Sequence, residues 1–158
     1  MLTIREAVPA DVPLVLQLIR ALAEYEKLTH QVVATEEALA NALFGTRPYA
    51  QAMVACWDGR PAGFALYFFN FSTFLARPGL YLEDLFVLPQ LRGHGIGKAL
   101  LARLAARAQA ENCGRMEWSV LDWNEPAIRF YESLGARRLT QWQTFRLDGP
   151  AIATLAGG

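Results

Sequence analysis

Apolar residues recur at helical spacing near the start of the chain. Val12, Val15, Leu16, Ile19, Leu22 and Ala23 share one face of a helix that Asp11 and Pro13 open. A short strand over residues 2–6 precedes it. A second helix follows Thr35, a predicted N-cap, with Glu36 and Glu37 in its first turn and Gly45 at its end. The period then changes. Residues 50–57 and 63–71 read as an aromatic-rich antiparallel hairpin around Asp58-Gly59, and residues 80–88 as a strand stopped by Pro89. A long helix over 97–111, a strand over 115–121, a short helix over 126–133 and a last strand over 142–147 complete the pattern. Helices, then strands, then alternating strands and helices predict a mixed α/β sheet in a single domain, residues 1–158.

Composition narrows the classes. Of 158 residues, 53% are hydrophobic and 19% charged, the balance of a folded domain with one core. Fifteen Lys plus Arg against 15 Asp plus Glu give no net charge, so neither nucleic acid nor an anionic membrane surface is expected as a partner. Met1-Leu2-Thr3-Ile4-Arg5-Glu6 is charged at once and does not read as a signal peptide, and the apolar run over 63–69 is too short to span a bilayer. Cys56 and Cys113 alone do not make a disulfide scaffold, so the cytoplasm is the expected compartment. His94 and His30 lie far apart without partners at ligand spacing, and no metal site is expected.

The chemistry concentrates in Val87-Leu88-Pro89-Gln90-Leu91-Arg92-Gly93-His94-Gly95-Ile96-Gly97-Lys98, where a strand ends, glycines fall at alternate positions and a long helix starts. Residues without Cβ let the chain turn tightly and present successive N–H groups, which with the positive end of the helix form a cradle for a pyrophosphate. A nucleoside-triphosphate loop does not fit: Gly93 to Gly97 is one residue short, and Ala99 stands where the magnesium-binding hydroxyl belongs. The dinucleotide pattern Gly-x-Gly-x-x-Gly fails as well, its third glycine falling one position early.

Arg-Gly-x-Gly-Ile-Gly after a strand resembles instead the acyl-CoA signature of the GNAT acetyltransferases. Tyr81-Leu82-Glu83-Asp84-Leu85-Phe86-Val87, Val120-Leu121-Asp122-Trp123-Asn124-Glu125-Pro126 and Phe130-Tyr131-Glu132-Ser133-Leu134-Gly135-Ala136 narrow the resemblance to the diamine N-acetyltransferases, over residues 5–146. Glu26-Lys27-Leu28 and Ser72-Thr73 are more similar to the thialysine-acetylating branch than to the polyamine branch. The resemblance implies a mostly antiparallel central sheet flanked by helices, with the acyl-CoA site where the central strands splay. It also implies acetyl-CoA as co-substrate, a small-molecule amine as acceptor and a homodimer, for which Phe68, Phe69, Phe71 and Phe74 would supply contact surface.

Residue roles follow from the same resemblance. Leu85, Phe86 and Val87 would offer backbone groups to the pantetheine arm, and Arg92, Gly93, His94, Gly95, Ile96, Gly97 and Lys98 would hold the pyrophosphate. Arg92 and Lys98 also read as solvated cations at a helix start. Asn124, with Glu125, Pro126 and Ala127, would cap a helix and contact the cofactor. Tyr25, Glu26, Glu83, Asp84 and Trp123 would meet the acceptor.

An alkylamine with a pKa of about 10.4 is well under 1% neutral at pH 7, so a carboxylate within reach can take its proton; the resemblance implies Glu83 as the base, with Asp84 as a substrate neighbour. Adjacent strand residues point to opposite faces, so one of the two faces the cleft unless a bulge re-aims the strand. Tyr131, whose phenol stays protonated at neutral pH, is the expected acid for the leaving thiolate. Phe71-Ser72-Thr73-Phe74 replaces an Asp-Pro-Trp of the polyamine branch and Gln143 an acidic residue, which favours a thialysine-like acceptor over a long polycation. The competing readings are a non-catalytic acyl-CoA-binding module, which needs neither Glu83 nor Tyr131, and a protein lysine or N-terminal acetyltransferase.

Overall fold

The structure, a computed structural model, describes residues 1–157. Five strands, β1 (Leu2–Glu6), β2 (Gln51–Trp57), β3 (Arg60–Ser72), β4 (Arg77–Val87) and β5 (Met116–Trp118), form one sheet in sequence order. The first four run antiparallel to their neighbours; β5 is parallel to β4. A parallel neighbour needs a crossover, and α3 (Ile96–Ala110) provides it. The remaining helices are α1 (Val12–Tyr25), α2 (Glu36–Phe44), α4 (Glu125–Ser133) and α5 (Gly149–Leu155). By contact density the chain falls into two compact units, Met1–Ser119 and the residues from Val120 onward.

Cross-strand pairing assigns side chains to the two faces of the sheet. Val54 pairs with Phe64 and Phe64 with Phe86, and these three pack against Val15, Leu18 and Leu22 of α1 and Leu43 of α2. The opposite face carries Gln51 and Tyr67, which α3 reaches through Arg107, 3.2 Å from Gln51 Oε1 and 3.4 Å from the Tyr67 hydroxyl. Leu100 and Leu104 of α3 are fully buried.

Local chemistry explains the helix starts. Thr35 Oγ1 accepts the Ala38 N–H at 3.1 Å, the expected cap. Asp11 behaves otherwise: it leaves the first turn of α1 uncapped, receives Arg5 at 2.6 and 2.9 Å, and accepts the Val8 N–H at 2.8 Å. Its carboxyl is held below the usual range, first by the Arg5 hydrogen bond. It therefore ties β1 to the start of α1.

Two expectations need correction. The strand expected over 115–121 pairs only at Met116–Trp118. Residues 142–147 form no strand, and Trp142 and Phe145 stand 78% and 90% exposed; strand-like composition alone does not make a ladder without a paired neighbour.

Candidate active site

The site is built where β4 stops being an ordinary strand. Leu66 pairs with Asp84 but the next residue, Tyr67, pairs with Leu82, so Glu83 is an extra residue, a β-bulge. Regular alternation would send Asp84 to the α3 face with Leu82. The bulge shifts the register by one and puts Asp84 on the α1 face, beside Leu66 and two residues from Phe86. Pairing with β5 ends at the same place, at Leu82–Trp118. From Glu83 to Val87 the side of β4 away from β3 carries no strand among the described residues of this unit. The backbone of Leu85, Phe86 and Val87 thus lies on an edge of β4 left unpaired within this unit.

The C-terminus of α1 packs beside this stretch of β4. The Tyr25 ring lies 6.4 Å from that of Phe86, and the Arg92 guanidinium sits 4.5 Å from the Tyr25 centroid and 5.5 Å from the Phe86 centroid. Arg92 Nε also donates to the Val87 carbonyl at 3.0 Å, so this exposed cation is held against the end of β4. Sequence reasoning missed that stacking: nothing local in Arg92 signals a ring on a helix 67 residues earlier in the chain.

Three carboxylates meet here. Asp84, half-buried, has its pKa pushed up to about 7, first by burial and then by the charges of Glu83 and Glu26. Burial raises the Glu26 carboxyl as well. Glu83, on the bulge, is exposed. An acid near 7 can hold or release a proton at neutral pH, which an ordinary surface carboxylate cannot.

Beyond Val87, the chain turns through Pro89–Leu91 into the glycine loop. Gly93 and Gly95 take φ of 85° and 77°, left-handed values that a Cβ would oppose by about 1–2 kcal/mol each. Gly95 is the N-cap of α3, supplies no side-chain cap, and gives its carbonyl to the Ala99 N–H at 3.0 Å. Ile96 is buried and anchors the helix, while Lys98 is exposed on its first turn. An uncapped terminus behind two left-handed glycines is a nest of N–H groups suited to a phosphate. The His94 side chain packs back on the loop, its Nδ1 3.0 Å from the Leu91 carbonyl and its ring 4.9 Å from that of Trp57.

In the second unit, Asn124 is buried and its side chain accepts the Ala127 N–H at 3.4 Å, so it caps α4 as expected, with Glu125 and Pro126 in the first turn. Trp123 precedes the cap and is 46% exposed. Tyr131 lies in the last turn of α4, half-buried, its ring 5.6 Å from that of Phe130. Among the described residues no cluster of three or more His, Cys, Asp or Glu could hold a metal, and no helix is long and apolar enough to cross a membrane.

Comparison with known proteins gives this geometry a context. The model of the acetyltransferase (GNAT) family matches residues 16–136. A thialysine N-epsilon-acetyltransferase of Sus scrofa is 42% identical, over 98% of this chain and 96% of its own length. An L-ornithine N5-acetyltransferase of Arabidopsis thaliana is 34% identical, over 96% of this chain and 86% of its own. Among solved structures, an integron cassette protein from the mobile metagenome of V. cholerae superposes with a TM-score of 0.82 at 29% identity, covering 99% of this chain and 98% of that one. A glycine nest alone would suit many phosphate ligands; the matches, which run nearly the length of the chain, show that the protein belongs to the GNAT family of acetyltransferases.

Proposed function

We propose that the protein transfers an acetyl group from acetyl-CoA to the primary amine of a small amino acid of the thialysine or ornithine type. The observation that carries this reading is the juxtaposition, within one unit, of an uncapped glycine-rich helix start and a carboxylate poised near neutrality, both joined to the open stretch of β4. The residues present fit the coenzyme: Gly93, Gly95 and the first N–H groups of α3 would hold the diphosphate, and Leu85 to Val87 would pair with the pantetheine as an added strand does. The bound thioester supplies an activated acetyl carbon.

This chain's groups do the rest. A carboxylate at the bulge takes one proton from the ammonium; the C–N bond then forms and the C–S bond breaks. The Tyr131 phenol gives the departing sulfur its proton and is restored by the second proton lost from nitrogen, so one proton is released per amide formed. Two features support an amino-acid acceptor over a polyamine: the β3–β4 turn, Thr73-Phe74-Leu75-Ala76, bears no acidic residue, and Gln143 is neutral. The exposed Phe71 and Phe74 supply a surface for a homodimer, and the cytoplasm is the compartment we assign.

The test is a panel of thialysine, ornithine, lysine, spermidine and a peptide amine with acetyl-CoA, reading thiol release. Thialysine or ornithine should exceed spermidine in kcat/KM by at least tenfold. A tenfold advantage for spermidine or the peptide would overturn the assignment of substrate, and coenzyme binding without thiol release from any amine would make the protein a binding module.

A further inference from the structure

We propose that Trp57 and His94 are a positioning pair, which holds the glycine turn in its phosphate-binding shape before the coenzyme arrives. This role rests on the coenzyme reading above and adds to it a residue from the β2–β3 hairpin. The register of the sheet brings Trp57 to the turn. β4 ends at Val87, opposite Gly63, and Leu88 still donates its N–H to the Ala62 carbonyl at 2.8 Å. β3 starts earlier, at Arg60, which pairs with Trp57. At about 3.3 Å per residue, the end of the hairpin overhangs the end of β4 by about 10 Å. Asp58 and Gly59 take φ of 51° and 79°, the left-handed values of a two-residue hairpin turn, so β2 stops sharply at Trp57. Cys56 packs with the α1-face core, so alternation puts Trp57 on the α3 face, the side on which the glycine turn feeds its helix. There the Trp57 ring meets that of His94, with centroids 4.9 Å apart.

The turn needs support from outside itself. A Cβ at Gly93 or Gly95 would meet nothing within 4 Å, so packing on that side fixes neither residue. The N–H groups of Gly93, His94 and Gly95 find no backbone acceptor among the described residues. Glycine loses more conformational freedom on ordering than any other residue, and a ligand that had to order this turn would bind more weakly by that cost. His94 is the one side chain between the two glycines. Its Nδ1, which carries the proton because a carbonyl can only accept, donates to Leu91 at 3.0 Å, while its ring rests against Trp57. Two ties on one residue restrain the peptide planes on both sides of it. Those planes carry the N–H groups of His94 and Gly95, which the diphosphate would receive.

The experiment compares Trp57→Ala, His94→Ala, the double variant and Trp57→Phe with the unaltered protein. Calorimetry gives the Kd of coenzyme A, and steady-state assays with thialysine give KM and kcat. Each alanine variant should raise the Kd, and the KM for acetyl-CoA, by about tenfold, with kcat and the KM for thialysine within about twofold of normal. The double variant should be no weaker than His94→Ala, because either change breaks the same contact. Trp57→Phe keeps a ring in place and should stay within about threefold of the normal Kd, and His94, exposed on a loop, can be replaced without threat to the fold. A normal Kd in His94→Ala overturns the pairing, and so does a double variant weaker than His94→Ala by a further tenfold. A fall in kcat as large as the rise in KM overturns it too, since it would report damage beyond the turn. If the unaltered protein binds no coenzyme A, the coenzyme reading fails and the pair with it. If it binds the coenzyme but acetylates no amine, the transfer reading alone fails, and the Kd values still decide the pair.

Discussion

If burial and two like charges raise Asp84, the folded protein bears a cost for ionising it, and removing that ionisation should stabilise the fold. The carboxyl titrates near 3.8 in an unfolded chain and at about 7 here, a gap of about three units. Each unit corresponds to about 1.36 kcal/mol, so the upper bound is about 4 kcal/mol. Asp84 is half-buried rather than sealed, and water reaching the bulge reduces the figure; about 2 kcal/mol is a reasonable expectation. The direction follows from proton counting. Between pH 4 and 7 the folded state keeps a proton that the unfolded chain has released, so stability drops as pH rises through that window and levels off above it.

Urea unfolding of Asp84→Asn and the unaltered protein at pH 4, 5.5 and 8 measures this directly. The variant should be more stable by about 2 kcal/mol at pH 8, by less at pH 5.5, and by nearly nothing at pH 4, with unchanged m values. A variant that is equal or weaker at pH 8 would refute the reasoning: Asp84 would then be ionised at no cost, and its claim to titrate near neutrality would go with it. A gain of stability on removing that charge is the signature of a group held in a costly state.

The glycine loop gives a matched pair of predictions. Gly95→Ala places a Cβ at φ 77° and should cost about 1–2 kcal/mol of stability and raise the KM for acetyl-CoA, whereas Gly97→Ala meets only Val87 Cγ2 at 3.9 Å and should leave stability unchanged or improve it by about 0.5 kcal/mol. A raised KM for acetyl-CoA in Gly97→Ala, seen in steady-state assays beside thermal melts, would show that this position is small for the ligand's sake; an unchanged KM would place the diphosphate elsewhere. Tyr131→Phe should lower kcat by about 100-fold with coenzyme binding intact by calorimetry, and turnover within threefold would remove it as the acid.

What the sequence made legible was what local chemistry decides. Thr35 needs only Ala38, three residues on, to act as a cap, and Asn124 needs only Ala127. Left-handed Gly93 and Gly95, and the helix they introduce, follow from a strand, a glycine spacing and an apolar helix read in order. Ile19 and Leu18 show the limit of periodicity even there: Ile19, expected on the core face, is half-buried, and Leu18, not expected, is 2% exposed, because α1 is covered by α2 as well as by the sheet.

The rest depends on pairing between segments distant in the chain. Alternation along Tyr81-Leu82-Glu83-Asp84 makes one carboxylate face each side, and no property of those four residues says that Tyr67 will pair with Leu82 and so leave Glu83 over. One unpaired residue on β4 decides which carboxylate lies beside α1, and hence which is raised towards neutrality by burial. The same dependence explains residues 142–147, whose composition suits a strand but which pair with no neighbour among the described residues. Side-chain chemistry supplies two adjacent acids, and register makes them different: Glu83 and Asp84 are one residue apart, and the offset between two strands separates an exposed carboxylate from one able to hold a proton at pH 7.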